Sequence, residues 1–348
     1  MRVRSAQGRF ALFALSLGFS TFAFALGTSS NFPGGVAPLE MLAAYARPIS
    51  VPAPADNPIT PAKAALGRML FFDARLSRSG KTSCASCHNP SLAWEDGRRL
   101  AIGDNGSVLP RSTPTIIDAA WVEPLLWDGR ADSLEAQART PLNNPHEMGM
   151  PRGRLVSLAG RDPAYRKAFA KAYPGKAIRE DLLLGAIATF ERTIVSTTAP
   201  IDRRVAGDRT AITDSAERGL ILFNTKAGCS SCHSGWRFTD DGFHDIGLPG
   251  KDLGRGKIVP GIEILQHSFK TPTLREVARR APYMHDGSLP TLAAVIDYYD
   301  SPKTDRTSVA PEIKRLGLTV TEKADLIAFL NSLSGDSDAA RTKTVSKL

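Results

Sequence analysis

Residues 84–88 read Cys-Ala-Ser-Cys-His and residues 229–233 read Cys-Ser-Ser-Cys-His. All four cysteines of the chain fall in these two pentads. In the C-x-x-C-H pattern the two thiols form thioether bonds with the vinyl groups of a heme, and the adjacent imidazole ligates the iron. The pattern therefore predicts two covalently bound heme c groups. Their attachment residues and iron ligands are Cys84, Cys87 and His88 for the first heme, and Cys229, Cys232 and His233 for the second.

Two other kinds of site use paired cysteines. Two C-x-x-C pairs hold zinc in many small domains, and a single pair forms a redox-active dithiol in others. The pairs of a zinc ribbon lie much closer in sequence than Cys84 and Cys229 do. A dithiol does not explain why a histidine follows each pair directly. Heme attachment explains both features.

The N-terminal 25 residues have the pattern of a secretory signal. Arg2, Arg4 and Arg9 precede an apolar run over residues 10–25, which ends in Ala23-Phe24-Ala25, a small-x-small cleavage pattern. We expect cleavage near Leu26 and a periplasmic protein, a compartment that suits heme attachment. An uncleaved membrane anchor is the alternative. No later segment is long and apolar enough to span a bilayer, so we expect no stable membrane insertion after cleavage.

The composition of the 348 residues suits a globular protein, with 42% hydrophobic and 23% charged residues. The formal charge of +9 comes from 44 basic and 35 acidic side chains that are dispersed along the chain. No basic run interleaved with aromatic residues occurs. The charge pattern therefore argues against a nucleic-acid partner.

An internal echo divides the chain into two related units. Residues 67–71 (GRMLF) precede the first pentad, and residues 219–223 (GLILF) precede the second. Apolar residues at helical spacing predict a helix over residues 179–195 and a last helix capped by Thr321. Strand-like alternation is scarce, so we expect an all-α protein. Its predicted units are residues 38–200 and 201–335, followed by a mobile tail over residues 336–348.

The chemistry of each heme depends on whether a second residue ligates the iron opposite the histidine of its pentad. Residues 89–145 contain no histidine or methionine, so we expect the first iron to be five-coordinate and open to a small molecule. For the second iron the candidate sixth ligands are Tyr298, Tyr299, Met284, His285, His267 and His244. Leu292, Val295, Ile296 and Tyr299 share one face of a predicted helix, and Tyr298 points elsewhere. By this pattern alone, a buried core residue is the better description of Tyr299, and ligation is the alternative.

Four longer segments resemble the bacterial di-heme cytochrome c peroxidases and their MauG-type relatives. They are residues 66–88 (LGRMLFFDARLSRSGKTSCASCH), 125–150 (LLWDGRADSLEAQARTPLNNPHEMGM), 223–238 (FNTKAGCSSCHSGWRF) and 270–292 (KTPTLREVARRAPYMHDGSLPTL). The resemblance implies two cytochrome c-like heme domains packed around a shared interface. It also implies that Trp127 lies between the hemes and that Glu147 is the distal acid/base, with Gln137 and Pro141 in the same pocket. Without the resemblance, Trp127 would be interpreted as a core aromatic residue and Glu147 as a surface carboxylate.

Three positions refine the resemblance. Asp104 stands where peroxidases that need reductive activation carry a distal histidine, so we expect an open first pocket. Tyr299 stands where ordinary peroxidases have a methionine ligand and MauG-type enzymes a tyrosine. The family also places a calcium ion between its domains, and the matching positions here are Ser112, Arg280 and Pro282, of which Ser112 replaces an asparagine ligand.

The resemblance favours an oxidoreductase that uses hydrogen peroxide to form high-valent iron and then oxidises a side chain of a partner protein. The alternative is a periplasmic cytochrome c peroxidase that takes electrons from a small cytochrome or cupredoxin. A third hypothesis, a pure electron carrier, requires two six-coordinate irons.

Overall fold

The computed structural model describes residues 35–303 and 305–335, and the predicted signal at residues 1–25 and tail at 336–348 lie outside them. The prediction of a mainly helical protein is confirmed. Eleven α-helices occur in this described part: α1 (Leu39–Ala43), α2 (Pro61–Phe71), α3 (Cys84–Cys87), α4 (Leu134–Asn143), α5 (Arg154–Arg161), α6 (Pro163–Ala172), α7 (Glu180–Arg192), α8 (Pro200–Val205), α9 (Asp214–Asn224), α10 (Leu292–Asp300) and α11 (Val320–Asn331). Two short strands, β1 (Phe243–His244) and β2 (Phe269–Lys270), pair antiparallel.

The first hydrophobic core forms where α2 crosses α7. Leu66, Leu70 and Leu183 are fully buried there. The two backbones approach so closely that a Cβ atom on Gly67 would lie 1.8 Å from the carbonyl oxygen of Ala186. Only glycine permits this crossing, since it has no side chain to displace.

The second core repeats the same arrangement with α9 and α11. A Cβ atom on Gly219 would lie 2.0 Å from the carbonyl oxygen of Asp325. Phe223 and Phe329 pack edge to face in this core, with ring centroids 5.0 Å apart. Gly67 and Gly219 open the two echoed sequences, so the internal repeat corresponds to two equivalent glycine-mediated helix crossings.

Two details depart from the sequence pattern. Helix α11 begins at Val320, because Thr319 rather than Thr321 caps it and forms a reciprocal capping box with Glu322. Helix α1 lies within the first predicted unit by sequence, yet its Met41 and Leu42 pack in the second core. The boundary at residue 200 stays a prediction. Among residues 35–303 and 305–335 there is no helix of the length and hydropathy that crossing a membrane requires.

Candidate heme sites

The first candidate site is a cavity of about 970 Å³ lined by Cys84, Cys87 and His88. The Nδ1 atom of His88 lies 3.1 Å from the carbonyl oxygen of Trp94. A carbonyl oxygen only accepts hydrogen bonds, so Nδ1 carries the hydrogen of the neutral ring. The lone pair is then on Nε2, the arrangement that second-shell hydrogen bonds impose on histidines that bind metals.

The second cavity, of about 220 Å³, is lined by Cys229, Cys232 and His233. The corresponding hydrogen bond occurs here, since the Nδ1 atom of His233 lies 2.8 Å from the carbonyl oxygen of Phe238. Burial lowers the pKa of His88 and of His233, so both rings are held neutral, the form that ligates a metal. Each pentad thus presents two thiols and one oriented imidazole to its own cavity.

These observations fit heme better than zinc. The two cysteine pairs line different cavities, so four thiolates do not converge on one ion. In the described part of the chain, one group of three metal-binding side chains occurs, Cys232 with Asp240 and His244, and it takes only one cysteine of its pair.

The far wall of the first cavity contains the residues that the resemblance assigned to it. Ser133 caps α4 through the backbone N–H of Ala136, and Gln137 and Pro141 lie one turn apart on this helix, facing the cavity. Glu147 lies just beyond the helix and also lines the cavity. The side-chain amide of Asn144 donates a hydrogen bond of 2.7 Å to the Glu147 carboxylate and holds it in place.

His146 and Met148 flank Glu147 and line the same cavity. The sequence places both just beyond the stretch without histidine or methionine, so five-coordination of the first iron stays a prediction. Asp104 is turned away from the cavity. Its carboxylate accepts hydrogen bonds from the hydroxyl and the backbone N–H of Ser79, at 2.5 and 2.8 Å.

Trp127 lines both cavities. Its indole Nε1–H donates to the carbonyl oxygen of Ser112 at 3.0 Å, and its own carbonyl accepts from the backbone N–H of Lys270 at 2.9 Å. Contacts from two distant parts of the chain therefore fix the ring in the wall that the cavities share.

The second cavity gathers Tyr299 and four of the other candidate ligands. Tyr299 lines it together with Leu292, Val295 and Ile296, so the predicted inward face of α10 is confirmed. The Tyr299 hydroxyl forms no hydrogen bond with the residues that the structure describes, and burial raises the pKa of its phenol. Tyr298 points elsewhere, as expected, and donates to the carbonyl oxygen of Ile246 at 2.6 Å.

The remaining candidates in this cavity are Met284, His285, His267 and His244. His244 is engaged, with its Nε2 atom 2.7 Å from an Asp240 carboxylate oxygen. His267 directs Nδ1 at the carbonyl oxygen of Asp252, and the His285 ring stacks on Phe269 with centroids 3.5 Å apart. The structure thus gathers five candidates in one cavity. His267, held through Nδ1 as His88 and His233 are, keeps its Nε2 lone pair, and Tyr299 is the phenol among the five.

The three predicted calcium positions also lie close together. The Ser112 hydroxyl donates to the carbonyl oxygens of Met284 and His285, at 2.9 and 3.2 Å. The Arg280 side chain is buried and lines both cavities, and Pro282 lines the second.

Comparison with known proteins agrees with this geometry. Residues 61–210 match the family described as di-haem cytochrome c peroxidase. Methylamine utilization protein MauG of Methylophilus methylotrophus is 49% identical over 294 residues, which cover 84% of this chain and 88% of that protein. The chain belongs to the di-haem cytochrome c peroxidase family. The MauG protein of Methylorubrum extorquens is 50% identical over 300 residues, which cover 84% of each chain.

A crystal structure of a MauG-like protein associated with microbial copper homeostasis superposes with a TM-score of 0.79. It is 32% identical and covers 86% of this chain and 97% of that one. Members of the di-haem cytochrome c peroxidase family carry two hemes, and this chain is a heme-dependent oxidoreductase.

Two cavity residues escaped the sequence analysis. Glu191 lines the first cavity, and burial raises the pKa of its carboxyl to about 8. Glu95 lines both cavities, and burial raises its pKa to about 7. A charged residue at the end of the apolar run of α7 is a weak signal for Glu191, whereas nothing local in the sequence marks Glu95.

Proposed function

We propose that this chain binds two covalent c-type hemes and uses hydrogen peroxide to oxidise a side chain of a partner protein, as a MauG-like enzyme. The observation that carries the proposal is the position of Tyr299 in the cavity of His233, across the Trp127 wall from the cavity that contains Glu147. A phenolate donor stabilises oxidised iron, whereas the thioether of methionine favours the reduced form.

In this proposal, Cys84, Cys87, Cys229 and Cys232 attach the hemes, and the Nε2 atoms of His88 and His233 ligate the irons. Tyr299 would supply a phenolate ligand to the second heme. The bound hemes supply the iron at which peroxide is cleaved and the oxidising equivalents are held. Each hydrogen peroxide takes up two electrons and two protons to form two water molecules. The electrons come from the partner's tryptophan or tyrosine.

The proton chemistry belongs to the first cavity. The Glu147 carboxylate would take a proton from one oxygen of a bound peroxide and deliver it to the other. Asn144 keeps the carboxylate in place for this transfer. Gln137 and Pro141 form the adjoining wall, where the Gln137 amide orients the peroxide. Trp127 is the route by which electrons pass from the second cavity to the first.

We also propose two cytochrome c-like domains around the shared wall and a periplasmic location. The two helix crossings support the first proposal. The signal pattern at the N-terminus and the extracytoplasmic chemistry of heme attachment support the second.

The rival function is a cytochrome c peroxidase fed by a small electron donor, which the family description includes. It calls for a high-potential second heme. Tyr299 opposes that. Met284 lies in the same cavity and is the ligand that this rival requires.

Low-temperature EPR of the ferric holoprotein tests the proposal. One high-spin and one low-spin heme are expected, and two low-spin signals would show that both irons are closed. Peroxide is then added with a candidate partner, and mass spectrometry follows the partner's tryptophan and tyrosine residues. Rapid turnover with a small cytochrome, without modification of the partner, would establish the peroxidase instead.

A further inference from the structure

Arg280 is a buried cation in the wall that the two cavities share. Its exposed fraction is 7%, and it lines both cavities, as do Trp127 and Glu95. A guanidinium has five N–H donors and remains charged at any working pH. Its hydrogen bonds therefore have to be accounted for within this wall.

Only some of the N–H groups of the Arg280 guanidinium have hydrogen-bond acceptors in the protein. One terminal nitrogen donates to the carbonyl oxygen of Thr273, and the other lies 3.3 Å from the Glu95 carboxylate. The Nε–H is buried and finds no acceptor among residues 35–303 and 305–335. A buried donor without an acceptor is costly and points to a group that completes the site when bound.

The other charged groups of the shared wall already have protein partners. Asp252 accepts two hydrogen bonds from Arg111, at 2.7 and 3.0 Å. The Lys270 ammonium donates to the backbone carbonyl of Asp241 at 2.8 Å. Among these groups, Arg280 is the one with a buried side-chain nitrogen that has no partner in the described part of the chain. The ligand it suits is a carboxylate, which guanidinium groups bind with matched geometry. Each heme carries two such groups, its propionates.

The same residues are a poor fit to calcium. Ca²⁺ takes six to eight oxygen ligands and prefers anionic ones. Here Ser112 offers only a neutral hydroxyl, whose hydrogen is directed at two backbone carbonyl oxygens, and the wall carboxylate of Glu95 is already paired with Arg280. A divalent ion would also stand beside a buried positive charge, and their repulsion is large away from water.

We propose that the Arg280 guanidinium is the resident cation between the two hemes, that it binds a heme propionate, and that this chain binds no calcium there. The inference rests on the proposed heme attachment. It goes beyond that proposal because it assigns the cation of the wall to a side chain of this protein.

The first test uses the wild-type holoprotein. Elemental analysis after dialysis should show two irons and no stoichiometric calcium per chain, and excess EGTA should leave both heme spectra unchanged. One tightly held calcium per chain whose removal alters a heme spectrum would overturn the inference. An iron count of zero would instead contradict the proposed function, so the two failures are distinguishable.

The second test uses three variants and redox titration. Arg280→Gln should lower the reduction potential of at least one heme, because loss of a nearby positive charge disfavours the reduced iron. Arg280→Lys keeps the charge and should restore much of that potential. Arg279→Gln is the matched control, since Arg279 pairs with Glu276 and lines neither cavity. If Arg280→Gln attaches both hemes and titrates like Arg279→Gln, the assignment is wrong.

Discussion

The indole Nε1 atom of Trp127 lies 3.0 Å from the carbonyl oxygen of Ser112, and this hydrogen bond sets the ring in the wall between the two cavities. An aromatic ring fixed at this place shortens the path for an electron between the two irons. This position supports the electron-transfer role that we propose for Trp127.

Trp127→Phe should therefore slow the sharing of oxidising equivalents while leaving both hemes attached. Phenylalanine fills most of the space but is much harder to oxidise and has no N–H for Ser112. Stopped-flow spectroscopy with peroxide should show a change at the first heme that no longer spreads promptly to the second. Trp121→Phe is the control, because Trp121 packs edge to face against Trp236 and lines neither cavity. Equal kinetics in the two variants would remove Trp127 from the path.

Cys84→Ala and Cys229→Ala should each remove one covalent heme and destabilise the surrounding core, because the porphyrin fills space that side chains do not. Heme-stained denaturing gels and intact mass spectrometry count the attached groups. Ser230→Ala, between the second pair of cysteines, should retain both hemes. Zinc in place of heme in properly matured wild-type protein would end this interpretation.

Glu147→Gln should slow peroxide cleavage by about two to four orders of magnitude, the usual scale of acid/base assistance. Both heme spectra should be nearly unchanged, because the amide is isosteric and the variant alters no iron ligand. Stopped-flow mixing with peroxide measures the rate, and the exposed Glu123→Gln provides the comparison. An unaltered rate would assign the proton transfer to another group.

Gly219→Ala should destabilise the second core by about 1–3 kcal/mol, the typical cost of overpacking. The new methyl group would meet the carbonyl oxygen of Asp325 at 2.0 Å, and helices α9 and α11 would have to separate. Gly160→Ala is the matched control, since that helical glycine faces open space, and it should stabilise the protein by up to about 1 kcal/mol. Thermal unfolding of the holoprotein compares them, and a neutral Gly219→Ala would mean that the helices adjust without cost.

Tyr299→Met should convert the second heme into a histidine/methionine centre with a raised reduction potential. The variant should lose partner oxidation and keep some peroxidase activity toward small donors, since the first cavity is untouched. Tyr298→Phe, which loses only the hydrogen bond to Ile246, is the control for redox titration and absorption spectra. If Tyr298→Phe shifts the second heme and Tyr299→Met does not, the ligand is Tyr298. If neither matters, the ligand must be sought among Met284, His285, His267 and His244.

Local patterns in the sequence predicted several features of the fold and of the candidate sites. The C-x-x-C-H pentads identify the attachment residues because thioether formation needs two thiols at a fixed short spacing. The inward face of α10 followed from helical periodicity, which separates Tyr299 from Tyr298 without a structure. The predicted cap of α11, Thr321, was wrong: Thr319 caps the helix, and the Thr-x-x-Glu pattern that it forms with Glu322 marks this start in the sequence.

The sequence by itself determined the heme-attachment chemistry, the helical character and the doubled unit, because each depends on residues close together in the chain. Only the tertiary structure decided that the two cavities share a wall, and that Trp127, Glu95 and Arg280 stand in it. Glu95 and Arg280 are 185 residues apart, and their pairing depends on how the two cores meet. In the sequence, Arg280 is one basic residue among many. Its burial and its pairing with Glu95 are properties of the fold and not of the local sequence.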